Sequence, residues 1–216
     1  MENTQKASIS TKVKNLNIVF ICFVGIICVL GFVMTILSLI KLKFVFVAAY
    51  LLAVLLGFSY VVIKINTIIP TYIERNNDVL NIQNWENGVF PFVIDKGFFG
   101  EFIPSKTKVE TVEIKSISKI YIGSKNYLFR LISEGEFFDF INDIYNRYEN
   151  TIKHMDILYI KTVDENEIFM SVTDFDEDEL VEIFKPIIEE NKKIDFKCGL
   201  RYVSKAIPTH KSTIKI

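Results

Sequence analysis

The stretch that decides the fold is LNIVFICFVGIICVLGFVMTILSLIKLKFVFVAAYLLAVLLGFSYVVI at residues 16–63, where Lys41 and Lys43 are the only charged residues. Leu16 to Ile40 is 25 residues without a charge. As a helix it would extend roughly 37 Å, at about 1.5 Å per residue, which exceeds the ~30 Å hydrocarbon core of a bilayer. Phe44 to Ile63 is a second apolar run, close to the minimum length of a span. Only a Lys-Leu-Lys tripeptide separates the two runs, so the sequence predicts a tight antiparallel transmembrane hairpin.

Two other interpretations of this stretch are disfavoured. The first run is too long for the apolar part of a signal peptide, lacks a small-x-small cleavage site at its end, and is followed at once by the second run. A buried hairpin in a soluble protein is disfavoured because two nearly uncharged helices have no polar face for water. The multi-pass membrane interpretation is therefore preferred.

The orientation of the hairpin is predicted from its flanking charges. Two spans put both termini on the same side of the membrane. The residues flanking the spans on that side include five bases, which are Lys6, Lys12, Lys14, Lys64 and Arg75. The loop that connects the spans carries two bases, Lys41 and Lys43. Cytoplasmic loops are enriched in Lys and Arg, so both termini are expected in the cytoplasm.

The rest of the chain divides by composition. The expected segments are an N-terminal tail at 1–15, a polar connector at 64–88, a soluble domain at 89–203 and a basic C-terminal tail at 204–216. In the connector, Ile65 to Ile73 has helical spacing typical of a stalk at the membrane surface. Trp85 is interpreted either as an interfacial anchor of this stalk or as a core aromatic on a first strand.

The order of predicted elements in the soluble domain is typical of an antiparallel α+β fold. Alternating or apolar runs bounded by turn residues predict strands at 89–94, 98–103, 108–122, 127–132, 156–163 and 167–172, with a last short strand within 194–204. Helical periodicity predicts a helix at 134–151. Asp176 and Glu179 have capping-box spacing, which predicts a second helix from there to about residue 193.

No motif of an enzyme or a metal site stands out. The acidic run at 174–179 opens like a calcium loop, but Glu179 occupies the position of the required glycine and Lys185 that of the bidentate glutamate. Acidic residues at a helix N-terminus are the better explanation. Neither His154 nor His210 has spaced ligand partners, and the three cysteines give no disulfide or metal pattern. We therefore expect no catalytic residue, no metal and no cofactor.

Charge is distributed asymmetrically near the C-terminus. Residues 164–190 hold eleven acids against one base, whereas residues 191–216 hold seven bases against one acid. A basic segment on a membrane-tethered domain can contact anionic headgroups, and the candidate contact residues are Lys192, Lys193, Lys197, Arg201 and Lys205. The alternative is a solvated segment that balances the acidic helix. Nucleic acid is not an expected partner, because the net charge is −1 and no recognition module is present.

The layout resembles the bacterial pleckstrin-homology-like membrane proteins, in which a transmembrane hairpin precedes a small β-roll closed by a C-terminal helix. The residues that carry the resemblance are VEIKSISKIYI at 112–122, and EIFMSV at 167–172 with the helix that follows. The helix at 134–151 and the segment after 194 depart from the minimal layout. The resemblance implies a non-enzymatic module in the bacterial inner membrane that binds a protein partner or the membrane surface, and it carries over no catalytic residues.

A different hypothesis is an accessory or immunity-type subunit of a peptide-transport system, in which the hairpin itself contacts the partner. Under both hypotheses the partners are the lipid bilayer and another membrane or cytoplasmic protein. A third possibility, an enzyme that uses scattered carboxylates, would require Asp174, Asp176 or Asp178 for activity.

Overall fold

The structure, a computed structural model, describes residues 4–66, 71–85, 106–142 and 155–207 of the chain. They form two compact units, one comprising residues 11–66 with Lys106 and the other comprising residues 4–10, 71–85, 107–142 and 155–207. Helices and strands are mixed, as the α+β prediction requires.

The first unit is a helical hairpin. Helix α1 spans Thr11–Ile40 and helix α2 spans Phe44–Asn66, so both apolar runs are helical and the predicted tripeptide is the connection. Among the described residues, α1 is the one helix long and apolar enough to cross a membrane, and the apolar part of α2 at 44–58 is shorter. The helices approach closely where residues are small: a Cβ added at Gly31 would lie 2.9 Å from Val54 Cγ2. Such close backbone approach is typical of helix pairs in lipid.

The second unit contains two four-stranded sheets. In the described chain its elements are strands β1 Thr4–Ser8, β2 Tyr72–Asn76, β3 Val79–Trp85, β4 Thr107–Glu113, β5 Ile117–Ser124, β6 Asp156–Thr162, β7 Glu167–Ser171 and β8 Asp195–Cys198, and helices α3 Lys125–Leu128, α4 from 136 to 142, α5 Glu177–Glu190 and α6 Arg201–Ala206. The first sheet has the order β1-β2-β3-β4 and is antiparallel throughout. The second has the order β7-β6-β5-β8, and β5 pairs in parallel with β8.

The main core lies between the sheets and α5. Helix α5 presents one apolar face, Leu180, Ile183, Phe184, Ile187 and Ile188, all buried. It meets inward side chains of both sheets, such as Ile73 on β2 and Ile160 on β6. A second cluster covers the other face of the second sheet, where Tyr121 and Tyr159 pack against Phe137 of α4. The described residues after β5, with α3 and α4, therefore form an additional layer on this sheet.

The N-terminal segment is part of this unit, and the predicted tail at 1–15 is corrected. Strand β1 pairs with β2 from Thr4–Asn76 to Ser8–Tyr72, and Ala7 is fully buried. A bridge between Ile9 and Phe175 continues the attachment. The chain thus contributes one strand to the sheet, forms the helical hairpin, and returns to the same sheet.

The predicted connector at 64–88 is also corrected. Helix α2 continues to Asn66, and strands β2 and β3 follow within this segment, joined by a turn in which Asn77 has a φ of +51°. The asparagine-rich break is therefore a β-turn, since asparagine tolerates this left-handed conformation. Trp85 ends β3 and is 5% exposed, so the core interpretation of this residue is confirmed.

Three further expectations differ from the structure. A short 3₁₀ turn at Ile114–Ser116 divides the strand predicted at 108–122 into β4 and β5. The strand predicted at 127–132 is wrong, because α3 and a turn occupy it and Ser124 caps the helix by accepting from the Tyr127 N–H. The final strand is shorter than predicted and parallel to β5, and the sequence after it forms α6, which includes the first residues of the predicted tail at 204–216.

Other predicted elements are confirmed where they are described. The β6–β7 hairpin turns at Asp164–Asn166 as predicted, with Glu165 at a φ of +65°. Helix α5 begins after Asp176. Helix α4 accounts for the described beginning of the helix predicted at 134–151. The strands predicted at 89–94 and 98–103, the remainder of that helix, and residues 208–216 lie outside the described residues.

Candidate functional site

The five basic residues predicted to contact the membrane lie in three elements. Lys192 and Lys193 are exposed in the turn after α5, and Arg201 and Lys205 are exposed one turn apart on α6. Lys197 lies elsewhere: its side chain is on the face of β8 opposite the buried Phe196 and Cys198. The structure therefore separates Lys197 from Arg201 and Lys205, which project from a helix packed on the main core.

Lys197 belongs to a polar network with a tyrosine. Its Nζ lies 3.3 Å from Asp195 Oδ2 and donates to Tyr121 Oη at 3.4 Å. The Tyr121 hydroxyl in turn donates to Asp195. Burial, followed by the hydrogen bond to Asp195, raises the pKa of Tyr121 far above its usual range. Tyr121 therefore remains a protonated hydrogen-bond donor, and the network holds β8 against β5.

The acidic run at 174–179 serves the start of α5. Asp176 Oδ1 accepts from the backbone N–H groups of Asp178, at 3.0 Å, and Glu179, at 3.4 Å. Asp178 accepts from the Tyr202 hydroxyl, which ties α6 to α5. The predicted capping box is half realised, since Asp176 caps the helix but Glu179 does not reach back to it. In the parts of the chain that the structure describes, no group of three or more His, Cys, Asp or Glu side chains is placed to hold a metal ion.

Glu179 and Asp176 bind the N-terminal strand instead. The Ser8 N–H donates to Glu179 Oε2 at 2.9 Å, and the Asp176 N–H donates to the Ser8 carbonyl at 3.2 Å. One residue further on, the Ser10 N–H donates to the Asp174 carbonyl at 2.9 Å. The acidic run thus clamps the chain immediately before α1 begins, a role that its composition did not indicate.

The single cysteine of the second unit is shielded. Cys198 is buried in the main core, and desolvation raises the pKa of its thiol to about 11. A thiol of this kind is almost wholly protonated at neutral pH and is a poor nucleophile. The prediction that it is a buried apolar residue agrees with this environment.

A concave groove lies between β4 and the β6–β7 hairpin. It has a volume of about 650 Å³. Its walls are formed by β4, the 3₁₀ turn, the start of α4 and the hairpin turn, and half of its lining residues are acidic: Glu110, Glu113, Glu136, Asp164, Glu165 and Glu167. We call this feature the acidic groove.

The two ends of the acidic groove are closed by hydrogen bonds. At one end Asn84 Nδ2 donates to the Phe169 carbonyl at 2.8 Å, joining β3 to β7. At the other end the Val163 N–H donates to the Ser116 carbonyl at 2.7 Å. Between these points β4 and β7 are both edge strands, because each pairs with one neighbour in the described sheets.

The acidic side chains of the groove have unequal environments. Glu167 is almost fully buried and accepts from the Phe137 N–H at 2.9 Å, so it anchors α4. Lys161 forms ion pairs with Glu165 and Glu167, and the hydrogen bond to Glu165 raises the pKa of Lys161. For Glu113, Glu136 and Asp164 the structure gives no ion pair with any residue it describes, and these three define the uncompensated charge.

Sequence analysis missed the acidic groove because its lining comes from four separate segments. Local patterns place Glu110 and Glu113 in a predicted strand and Asp164 and Glu165 in a predicted turn, and they do not indicate that these residues are neighbours. Comparison with known proteins adds no assignment: no family model, curated protein or solved structure matches this chain.

Proposed function

We propose that this chain is a membrane-anchored, non-enzymatic interaction or regulatory protein of the bacterial inner membrane. Its hairpin spans the bilayer twice, and its second unit is a cytoplasmic domain similar to the pleckstrin-homology-like family that binds a protein partner or the membrane surface. The observation that carries the proposal is the pairing of β1 with β2, one strand before the hairpin and one after it.

This pairing constrains how the hairpin can cross a membrane. Strands in one sheet lie on one side of a bilayer, so the chain between Ser8 and Tyr72 must cross an even number of times or not at all. Helix α1 is apolar and exposed along its length, with Ser38 its one buried residue, which favours a lipid environment over a soluble core. Two crossings satisfy both conditions.

The family resemblance is supported by the order of elements. An antiparallel sheet is followed by the antiparallel strands β5, β6 and β7, and α5 then packs across both sheets, as expected for a β-roll closed by a helix. The layer between β5 and β6, the parallel strand β8 and helix α6 are additions to that layout.

The non-enzymatic part of the proposal rests on how the polar groups are used. Asp176 and Glu179 accept from backbone N–H groups, Asp178 accepts from the Tyr202 hydroxyl, and Tyr121, Asp195 and Lys197 bond to one another. Such groups position elements of the fold. A carboxylate enzyme would instead lose activity, with its fold intact, when Asp174 or Asp178 is replaced.

The test exchanges the hairpin. Residues 11–66 are replaced by an unrelated two-span hairpin, and a photo-crosslinking amino acid is placed at Val163, which is 66% exposed on the second unit, or at Phe23 on α1. We expect Val163 to crosslink to the same protein or lipid before and after the exchange in intact cells.

Two outcomes would contradict this function. If only the native Phe23 position captures a protein, the hairpin is the interacting part and the transport-accessory hypothesis is favoured. If Val163 captures nothing while the fold is retained, the second unit has no interaction of the proposed kind at that surface.

A further inference from the structure

From the charge of the acidic groove, and from two strand edges that have no partner among the described residues, we infer that the groove binds an extended, basic segment of a partner protein. The inference rests on the proposed function and deepens it, since it selects a protein over the membrane surface as the ligand of this site.

Among the residues that the structure describes, no strand pairs with the side of β4 that faces the groove. The Ile114 N–H donates to the Asp78 carbonyl at 2.8 Å, which sets the phase of the antiparallel ladder between β3 and β4. Hydrogen-bonded pairs alternate with non-bonded ones along the ladder. The backbone N–H and C=O groups of Val112 and Glu110 therefore point toward β3, whereas those of Thr111 and Glu113 point away from it.

Within the described sheets, β7 likewise has no strand on the side that faces the groove. The Thr162 N–H donates to the Asn166 carbonyl at 3.0 Å, so the bonded pairs of this ladder include Ile160 with Ile168. Glu167 and Phe169 therefore direct their backbone groups away from β6. The Phe169 carbonyl accepts from Asn84, as this phase requires, and closes the groove there.

The length of the groove along β4 fits one short strand. The lining residues 110–113 extend about 14 Å, at about 3.4 Å per residue, between the two closed ends. An inserted segment of about four residues could continue a ladder on Thr111 or on Glu167. Addition of a strand to an open edge is an established way for domains to bind peptides, in which backbone bonds supply affinity and side chains supply specificity.

Charge selects the occupant. The groove has six carboxylates, of which Glu110 pairs with Lys108, and Glu165 and Glu167 pair with Lys161. Lys119 adds a further positive charge near Glu165, so the carboxylates remain in excess. A second copy of this edge would bring like charges together, and an anionic lipid surface would be repelled. A segment with Lys or Arg at alternate positions would direct its cations toward Glu113, Glu136 and Asp164 while its backbone pairs with the strand.

The experiment uses the full chain in nanodiscs of neutral phosphatidylcholine, so that lipid charge does not attract the probe. The probe is a fluorescent hexapeptide of alternating lysine and threonine, with an acidic twin of alternating glutamate and threonine. Fluorescence anisotropy is expected to show binding of the basic peptide, weakened by salt, and no binding of the acidic twin.

A proline substitution tests the backbone. Thr111→Pro removes an N–H that faces the groove but takes no part in the β3 ladder, which is where edge strands accept proline. It should weaken peptide binding by about tenfold. Val109→Pro removes an equivalent outward N–H outside the lining residues and should leave binding unchanged. Equal affinity in both variants would overturn the inference.

A charge substitution tests the side chains and does not depend on how Thr111→Pro folds. Glu113→Gln combined with Asp164→Asn should weaken binding by about tenfold, whereas Glu182→Gln combined with Glu189→Gln, at exposed positions of α5, should not. Equal losses in the two double variants would show a general charge effect and overturn the inference.

If the groove is occupied by something other than a basic partner segment, the same experiments give different results, and each of these results would overturn the inference. If the intact chain does not bind the peptide but a chain ending at Ile207 does, the protein's own residues 208–216 occupy the groove. If Thr111→Pro abolishes a dimer of the intact chain, a second copy occupies it. If the peptide never binds while crosslinking from Val163 persists after hairpin exchange, the inference fails and the proposed function stands.

Discussion

At the scale of single residues, the cap of α5 is the contact with the clearest energetic consequence. Asp176→Ala removes the acceptor for two helix N–H groups and should lower the free energy of unfolding of the second unit by about 1 kcal/mol. The loss can be measured by urea unfolding of the detergent-solubilised chain, followed by the fluorescence of its single tryptophan, the buried Trp85.

Asp176→Asn is the matched control for the cap. Asparagine retains an oxygen acceptor and is about as good as aspartate at this position, so it should unfold close to the wild type. If the alanine and asparagine variants are equally destabilised, the negative charge near Ser8 and the helix N-terminus matters more than the cap geometry.

Capping and turn chemistry explain which elements were predictable. Helix α5 was found because Asp176, Glu179 and an apolar periodicity act locally. The β6–β7 hairpin was found because its turn residues lie next to two β-rich runs. The run at 127–132 was misassigned because a short apolar stretch does not distinguish strand from helix, and the choice depended on Ser124 and on packing against Tyr159.

At the scale of elements, β1 shows what local patterns do not contain. Thr4–Ser8 has a single apolar residue, Ala7, and its partner β2 follows the whole helical hairpin in sequence. Nothing near the strand in sequence indicates that pairing. The acidic groove escaped prediction for the same reason, since its walls become neighbours only when the two sheets fold.

The attachment of β1 predicts a strong effect at a short side chain. Ala7 has no exposed surface in the main core, so Ala7→Asp would bury a carboxylate without a partner. We expect a loss of more than about 2 kcal/mol in the free energy of unfolding, measured by the same tryptophan fluorescence. Thr4→Asp, at the exposed end of the same strand, should change stability little. Equal stability of Ala7→Asp and the wild type would show that β1 is not part of the core.

At the scale of the whole molecule, the folded unit and the hairpin share their chain connections. In sequence, β1 precedes α1 by two intervening residues and β2 follows α2, and within the second unit Ser8 is bound by Glu179 and Asp176. One of the charges that flank the hairpin in sequence is neutralised within the second unit, because Arg75 forms an ion pair with Glu190 at 2.9 Å. Under the two-span arrangement proposed above, Lys12 and Lys14 at the start of α1 are the flanking bases nearest to the first span.

Cysteine accessibility tests the two crossings and their direction together. In a chain with Cys22→Ala and Cys28→Ala, single cysteines are placed at Thr4, at Leu42 in the connection, and at Lys192; the buried Cys198 is retained. A membrane-impermeant maleimide applied to intact spheroplasts should label position 42, and should label positions 4 and 192 only after permeabilisation. Positions 4 and 192 must behave alike whichever side they occupy, because β1 and β2 share a sheet. Labelling of 4 and 192 from opposite sides would rule out that pairing in the membrane, and labelling of all three from one side would rule out the spanning hairpin.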